Sequence, residues 1–110
     1  MATGPEAFDF GAGPSTTRQR VLDTAFEVIS KDRAAQHGDP ERNLKRIADF
    51  WSLYLSETND HPVKVTPADA GVMMGLLKVA RIISSPTYED HYVDLAGYAA
   101  IAYEAACLSE

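Results

Sequence analysis

Four charged residues in the second half of the chain have the spacing of a ligand site. Lys78 and Arg81 are three residues apart, and Asp90 and Asp94 are four apart. Residues at these spacings lie on one face of a helix, so each pair should present its charges together. The Ser-Ser-Pro sequence at 84–86 separates the two pairs by a short turn. We therefore expect the cations to lie opposite the aspartates across two antiparallel helices.

This charged cluster fits two kinds of chemistry. In the first, Arg81 pairs with Asp90 or Asp94 and Lys78 extends to the surface, so the charges only join the helices. In the second, the two cations bind phosphate oxygens, the two aspartates hold Mg²⁺, and Tyr98 continues the aspartate face. No motif in the sequence requires a cofactor. If the cluster binds phosphate in this second way, Mg²⁺ is the metal that we expect. Both interpretations remain open at this point.

A second polar group surrounds the expected start of another helix. It contains Arg33, His37, Asp39 and Asn43, and Asp39 precedes a proline that suits the first helical position. Free amides at a helix N-terminus favour an anion, but an ordinary loop with an aspartate cap has the same sequence. In the first case, this group would complete the phosphate site, from the same chain or from a second subunit.

Four helices are predicted to position these residues, and no segment has the alternating pattern of a strand. The sequence STTRQRVLDTAFEVISK predicts the first helix, and Asp39-Pro40 begins the second. After a loop expected at 56–65, Thr66 begins the third with a capping box, and Thr87 with Asp90 repeats that arrangement for the fourth. The predicted fold is an all-α four-helix bundle in which the third and fourth helices form an antiparallel hairpin.

The third helix should be the central and most buried element. Its sequence from Gly71 to Ile83 is apolar on nearly every side, which is typical of a helix surrounded by others. Gly71 and Gly75 are four residues apart and would let another helix approach closely. The same apolar surface suits either the core of a monomer or a contact within a homo-oligomer.

The composition is that of one soluble domain with an acidic surface. The 110 residues include 10 basic and 16 acidic ones, a net charge of −6, which argues against wrapping of DNA or RNA. No apolar run reaches the roughly 20 residues of a membrane helix. We expect a mobile N-terminal arm at residues 1–14 and a single helical domain at 15–110. The start lacks the pattern of a secretion signal, and the single Cys107, expected to be buried, agrees with a cytoplasmic protein.

The motifs DR-xxx-HGDP-xx-N, FW-xx-Y, TP-x-D-xxx-MM-xx-LK-xx-R and D-xxx-D-x-AGYAA together resemble a family of small bacteriophage and actinobacterial proteins. The resemblance extends from about Arg20 to Ala106, and it places this family near the MazG-like all-α nucleotide pyrophosphatases. It implies a helical bundle that forms dimers or tetramers, binds nucleotides and, if phage-encoded, works in the host cytosol. MazG-like enzymes bind Mg²⁺ through E-x-x-E and a later acidic motif. This chain has no E-x-x-E, and only Asp90 and Asp94 resemble the later motif.

Three functions follow as expectations. The first is binding of a nucleotide-type phosphorylated ligand, such as a nucleotide, a cyclic nucleotide or a dinucleotide, with Lys78 and Arg81 on phosphate. In a phage protein, such binding would sequester a nucleotide immune signal. The alternative is a Mg²⁺-dependent nucleoside triphosphate pyrophosphohydrolase that uses Asp90 and Asp94. The second alternative is a structural or protein-interaction bundle with no small ligand.

Overall fold

The computed structural model describes residues 16–30 and 38–109, and every regular element in these ranges is a helix. The helices are α1 (Thr17–Val28), α2 (Pro40–Asn59), α3 (Pro67–Ser84) and α4 (Glu89–Leu108). The predicted all-α bundle is confirmed, and α3 and α4 form its hairpin across residues 85–88. The proposed arm at 1–14, together with Arg33 and His37, lies outside the described residues. None of the described helices combines the length and apolarity needed to cross a bilayer.

The first three helices begin at the caps that the sequence indicates. The Thr16 hydroxyl accepts a hydrogen bond from the Gln19 amide at 3.1 Å, at the start of α1. The Asp39 carboxylate caps α2, with Pro40 at its first position. Thr66 caps α3 in a reciprocal capping box. Short polar side chains at these positions satisfy amides that have no partner within the helix, which sets where each helix starts.

The predicted cap of α4 at Thr87 is wrong. The residue at the cap position is Tyr88, and its side chain makes no capping hydrogen bond. The Tyr88 amide donates to the Ser85 carbonyl at 3.2 Å, and the His91 amide donates to the Tyr88 carbonyl at 3.3 Å. This backbone turn over 85–88 places Thr87 one residue before the cap position, so its hydroxyl does not cap the first amides of α4.

The connection between α2 and α3 is shorter and more ordered than the sequence predicts. α2 continues to Asn59, and the loop after it is fastened to the helix by two serines. The Ser52 hydroxyl accepts from the Val65 amide at 2.8 Å and donates to its carbonyl at 3.2 Å. Ser56 does the same with Val63, at 2.8 and 3.1 Å. The loop backbone thus has hydrogen-bond partners on α2, and Val65 enters the core.

The core lies where α2, α3 and α4 meet. Its buried residues are Leu44, Ala48, Val65, Ala70 and Ile101, with Ile29, Ile47, Trp51, Leu55 and Tyr98 packed against them. The residues of α2 in this set lie on one face of the helix, whereas Tyr54 is exposed. Cys107 is also exposed, contrary to the sequence-based expectation.

The prediction that α3 is the most buried helix is wrong. One side of α3 contacts α4 so closely that a Cβ on Gly71 would lie 2.7 Å from the Ala102 Cβ. The opposite side is open, and Val72, Leu76 and Ile83 are 57%, 61% and 78% exposed. Because α3 is apolar on nearly all sides, its whole surface could be buried, but the other described helices cover only half of that surface.

Candidate functional site

A cavity of about 230 Å³ lies between α1, α2 and α4, and we call it the interhelical cavity. Three polar side chains reach it, those of Asn43, Asp94 and Tyr98. The other side chains that line it are apolar: Val28, Ile29, Pro40, Leu44, Ile47, Val93 and Ile101. An apolar pocket with a few convergent polar groups is the usual form of a small-molecule site.

Asn43 reaches the cavity from the first turn of α2. Its backbone amide donates to the Asp39 carbonyl at 3.0 Å, which fixes this turn. Gly38, just before the helix, has φ of 94°, a left-handed conformation that favours glycine. A Cβ at Gly38 would also lie 3.2 Å from the Asn43 Nδ2. Any other residue at 38 would therefore strain the backbone and press on the amide that faces the cavity.

Arg46 stands beside Asn43 and was missed by the sequence argument. Its Nη1 donates to the Asn43 Oδ1 at 3.4 Å, a long hydrogen bond between exposed atoms. The two residues are three apart on α2, a spacing that could have revealed the pair. The contact brings a cation next to a polar group of the cavity.

Asp94 and Tyr98 reach the cavity from α4, one helical turn apart. Between them, Gly97 is buried, and a Cβ there would lie 3.3 Å from the Ile29 Cγ2. The glycine thus permits the end of α1 to approach α4 closely. Asp94 and Tyr98 thus bring polar groups to the cavity from α4, and Ile29 borders it with an apolar side chain at the end of α1.

Lys78 contacts Asp94 across the α3–α4 hairpin. The Lys78 Nζ lies 3.0 Å from the Asp94 Oδ2, and the two side chains are 20% and 37% exposed. One of the two open interpretations paired Arg81 with Asp90 or Asp94, and the structure pairs Lys78 with Asp94 instead. The packing of α3 on α4 places residue 78, rather than residue 81, opposite Asp94. Arg81, in the last turn of α3, is exposed and has no ion pair with a described residue.

Asp90 lies apart from this arrangement. It is exposed in the first turn of α4 and does not line the interhelical cavity. Across the described ranges, no group of three or more His, Cys, Asp or Glu side chains is close enough to hold a metal ion. One oxygen of Asp94 is already bound by Lys78. Mg²⁺ binding by Asp90 and Asp94 therefore stays a prediction. In the described part of the chain, no third His, Cys, Asp or Glu lies close enough to complete such a site.

The second polar group is only partly assembled at the cavity. Asp39 is exposed, and its carboxylate accepts from the Glu41 amide at 3.2 Å as the cap of α2. Two carboxylates at this helix start, those of Asp39 and Glu41, oppose the binding of an anion there. Of the group, Asn43 joins Asp94 and Tyr98, whereas Arg33 and His37 lie outside the described residues.

An exposed ion pair joins α1 to α4. The Arg20 Nη2 lies 2.7 Å from the Glu89 Oε1, and its Nε lies 3.2 and 3.3 Å from the two carboxylate oxygens. These hydrogen bonds, and the attraction between the charges, lower the pKa of Glu89 and raise that of Arg20. The two residues are 69 positions apart, so no sequence spacing indicates the pair.

Comparison with known proteins finds relatives in mycobacteriophages. The Gene 55 protein of Mycobacterium phage L5 is 42% identical over 81 residues, which cover 74% of this chain and 49% of that protein. The Gene 55 protein of Mycobacterium phage D29 is 31% identical over 81 residues, or 74% of this chain and 50% of that protein. The chain thus spans about half the length of these curated relatives. No solved structure matches it significantly.

The family comparison is consistent with these relatives. The family model described as a domain of unknown function, DUF6378, matches residues 20–106. This range covers the four described helices apart from the first residues of α1 and the last residues of α4. The chain therefore belongs to the DUF6378 family, and the expected membership of a small phage protein family is confirmed.

Proposed function

We propose that this DUF6378 protein binds a nucleotide-type phosphorylated ligand at the interhelical cavity. The ring of the ligand enters the cavity, and its phosphates remain outside. The observation that carries the proposal is the convergence of Asn43, Asp94 and Tyr98 on one apolar pocket, with Lys78 paired to the carboxylate. The ligand class covers nucleotides, cyclic nucleotides and dinucleotides.

The cavity suits a flat, mostly uncharged ring. Its volume of about 230 Å³ is below the range of about 300–1,000 Å³ for pockets that enclose a whole ligand, so only part of a nucleotide fits inside. The amide of Asn43 both donates and accepts, and the Asp94 carboxylate accepts from ring or ribose groups. Because Lys78 balances the charge of Asp94, a neutral ring can bind there without leaving a carboxylate unpaired.

In this proposal the phosphate contacts come from Lys78 and Arg46, which contact residues that line the cavity, and from Arg81. Lys78 is held against Asp94, and Arg81 follows it by one turn on the same helix face, exposed and with no ion pair among the described residues. Arg46 adds a guanidinium next to Asn43. Guanidinium groups bind phosphate oxygens through two hydrogen bonds at once, which gives the strongest contacts of this type.

Sequestration, rather than cleavage, is the activity that we propose for the bound ligand. Support comes from the two aspartates that a Mg²⁺-dependent hydrolase would use. In the described helices, Asp94 is in an ion pair with Lys78, and Asp90 does not line the cavity. A relation to MazG-like pyrophosphatases is part of the proposal, supported by the all-α architecture. The phage relatives make a nucleotide immune signal a reasonable class of ligand to test.

The first test is thermal melting of the purified protein against nucleoside triphosphates, cyclic nucleotides and dinucleotides, with and without Mg²⁺. A ligand that binds only the folded state at 100 times its Kd adds about 2.7 kcal/mol, a shift of at least about 10 °C in a domain of this size. Chromatography of the recovered ligand follows. An intact ligand supports sequestration, cleaved ligand identifies a pyrophosphohydrolase, and no shift with any compound contradicts the proposal.

Two lysine variants separate a ligand site from a structural ion pair. Lys78→Ala should weaken ligand binding at least tenfold, because it leaves Asp94 without its cation. Lys45→Ala is the matched control, since the Lys45 Nζ lies 2.8 Å from Asp49 on the exposed side of α2 and its side chain does not line the cavity. Equal ligand affinity in the two variants would show that the Lys78 pair has no part in binding.

A further inference from the structure

The carboxylate of Asp94 gives the interhelical cavity a pair of hydrogen-bond acceptors. An ionised carboxylate has two oxygens, with about four lone-pair sites between them, and no hydrogen to donate. The Lys78 Nζ takes one site on the Oδ2 atom, at 3.0 Å. The Oδ1 atom makes no hydrogen bond or ion pair with any described residue. A ligand in the cavity can therefore donate two hydrogen bonds to Asp94, one to each oxygen.

Asn43 gives the same cavity a donor. The Arg46 Nη1 donates to the Asn43 Oδ1 at 3.4 Å, so the acceptor end of this amide already has a partner. The Nδ2 group keeps its two hydrogens for an acceptor on the ligand. The hydroxyl of Tyr98, which also lines the cavity, both donates and accepts, so it discriminates little between ligands. The cavity thus combines a double acceptor with a donor.

The volume of the cavity favours a purine base over a pyrimidine. An apolar protein cavity of about 150 Å³ holds benzene, a single ring. The interhelical cavity, at about 230 Å³, is about half as large again, which suits the two fused rings of a purine. A pyrimidine would leave part of the apolar wall without contacts and so lose dispersion energy.

The pattern of donors and acceptors then distinguishes the two common purines. On its base-pairing edge, guanine presents the O6 acceptor, the N1–H donor and the 2-amino donor in a row. The two neighbouring donors match the two oxygens of a carboxylate, and hydrogen bonds to an ionised acceptor are the strong ones. Adenine presents an amino donor beside the bare N1 lone pair. That lone pair would face a carboxylate oxygen, which disfavours adenine.

We propose that the interhelical cavity selects guanine. Its N1–H and 2-amino groups donate to Asp94, and its O6 accepts from the amide of Asn43. This inference rests on the proposed binding of a nucleotide-type ligand at the same cavity. The phosphates of such a ligand are repelled by Asp94, so the base takes the carboxylate. Lys78 is a positioning residue here, because its contact with Oδ2 holds the carboxylate in place.

Titration calorimetry of the full chain with matched guanine and adenine ligands tests this proposal. The pairs are GTP with ATP, cyclic GMP with cyclic AMP, and cyclic di-GMP with cyclic di-AMP, and the members of each differ only in the base. In any pair that binds, we expect the guanine member to have a Kd at least about tenfold lower. The inosine form of the same ligand lacks the 2-amino group. It should bind about tenfold more weakly than the guanine form, because Asp94 then receives one hydrogen bond instead of two.

Asp94→Asn should change the preference in a defined direction. The asparagine amide keeps one acceptor and replaces the other with a donor. Xanthine matches that pattern, because it has N1–H beside a carbonyl oxygen where guanine has the 2-amino group. The wild type should bind the guanine form at least about tenfold more tightly than the xanthine form, and Asp94→Asn should bind the xanthine form more tightly.

Asp49→Asn is the matched control for this variant. It also removes a carboxylate from a lysine pair, since the Asp49 Oδ2 lies 2.8 Å from the Lys45 Nζ, but that pair is exposed on α2 and neither residue lines the cavity. The control should keep the preference of the wild type for guanine.

The outcomes separate this inference from the proposed function. If a guanine ligand and its adenine counterpart bind equally, or adenine binds more tightly, the selection of guanine is overturned and nucleotide binding stands. A guanine preference that survives in Asp94→Asn also overturns it, because Asp94 then does not contact the base. If no ligand binds, the proposed function fails as well. Circular dichroism checks that each variant is folded, and the inosine comparison on the wild type decides the matter if Asp94→Asn unfolds.

Discussion

Replacing glycine by alanine should have opposite effects on stability at two positions of α3, Gly71 and Gly75. Both are buried on the side of α3 that faces α4. A Cβ at position 71 would lie 2.7 Å from the Ala102 Cβ and 3.1 Å from its Cα, atoms that cannot move without shifting α4. A Cβ at position 75 would lie 3.4 Å from the Leu95 Cδ1, an ordinary contact with the end of a flexible side chain.

The magnitudes follow from two opposing effects. Alanine in place of glycine favours a helix by about 1 kcal/mol at either position. Overpacking against a fixed neighbour costs about 1–3 kcal/mol, which applies only to Gly71→Ala. We therefore expect Gly75→Ala to raise the free energy of unfolding by about 0.5–1 kcal/mol, and Gly71→Ala to lower it by as much as about 2 kcal/mol.

Urea unfolding followed by circular dichroism measures both variants at one protein concentration. We expect Gly71→Ala to be less stable than Gly75→Ala by about 1–3 kcal/mol, with a Tm at least about 4 °C lower. If both alanines stabilise the protein equally, α3 and α4 do not approach as closely as the contact with Ala102 requires, and the packing argument fails.

Three further changes test other contacts. Because the pKa of Glu89 lies below its ordinary value of 4.5, the pair with Arg20 stabilises the fold above that pH, and the contribution is lost as the pH falls through the lowered pKa. Glu89→Gln should therefore reduce stability at pH 7 but leave it unchanged near pH 2, in urea titrations at both values; equal losses would contradict this. Ser52→Ala should cost about 1–3 kcal/mol in urea unfolding, because the backbone groups of Val65 lose their partner. Thr66→Ala should lower the free energy of unfolding by about 1 kcal/mol, and no change in the Tm would show that the capping box is dispensable.

The candidate site was predictable from local spacing only in part. Asp94 and Tyr98 are one turn apart on α4, so the sequence places them on one face, and both line the cavity. Asn43 also belongs to the cavity, although its contact with that face depends on how α2 packs. The sequence could not decide which cation contacts Asp94, because pairing across a hairpin depends on the axial offset of two helices. An error of one turn in that offset exchanges Lys78 for Arg81.

The sequence alone determined the local structure of this protein. Capping residues and 3.6-residue periodicity act over a few neighbours, so Thr16, Asp39 and Thr66 set the starts of three helices without any tertiary contact. Only the tertiary structure decided which apolar faces are buried, because burial depends on how many neighbours each helix has. α3 is apolar on nearly every side, yet α2 and α4 cover one half of it and leave Leu76 in solvent.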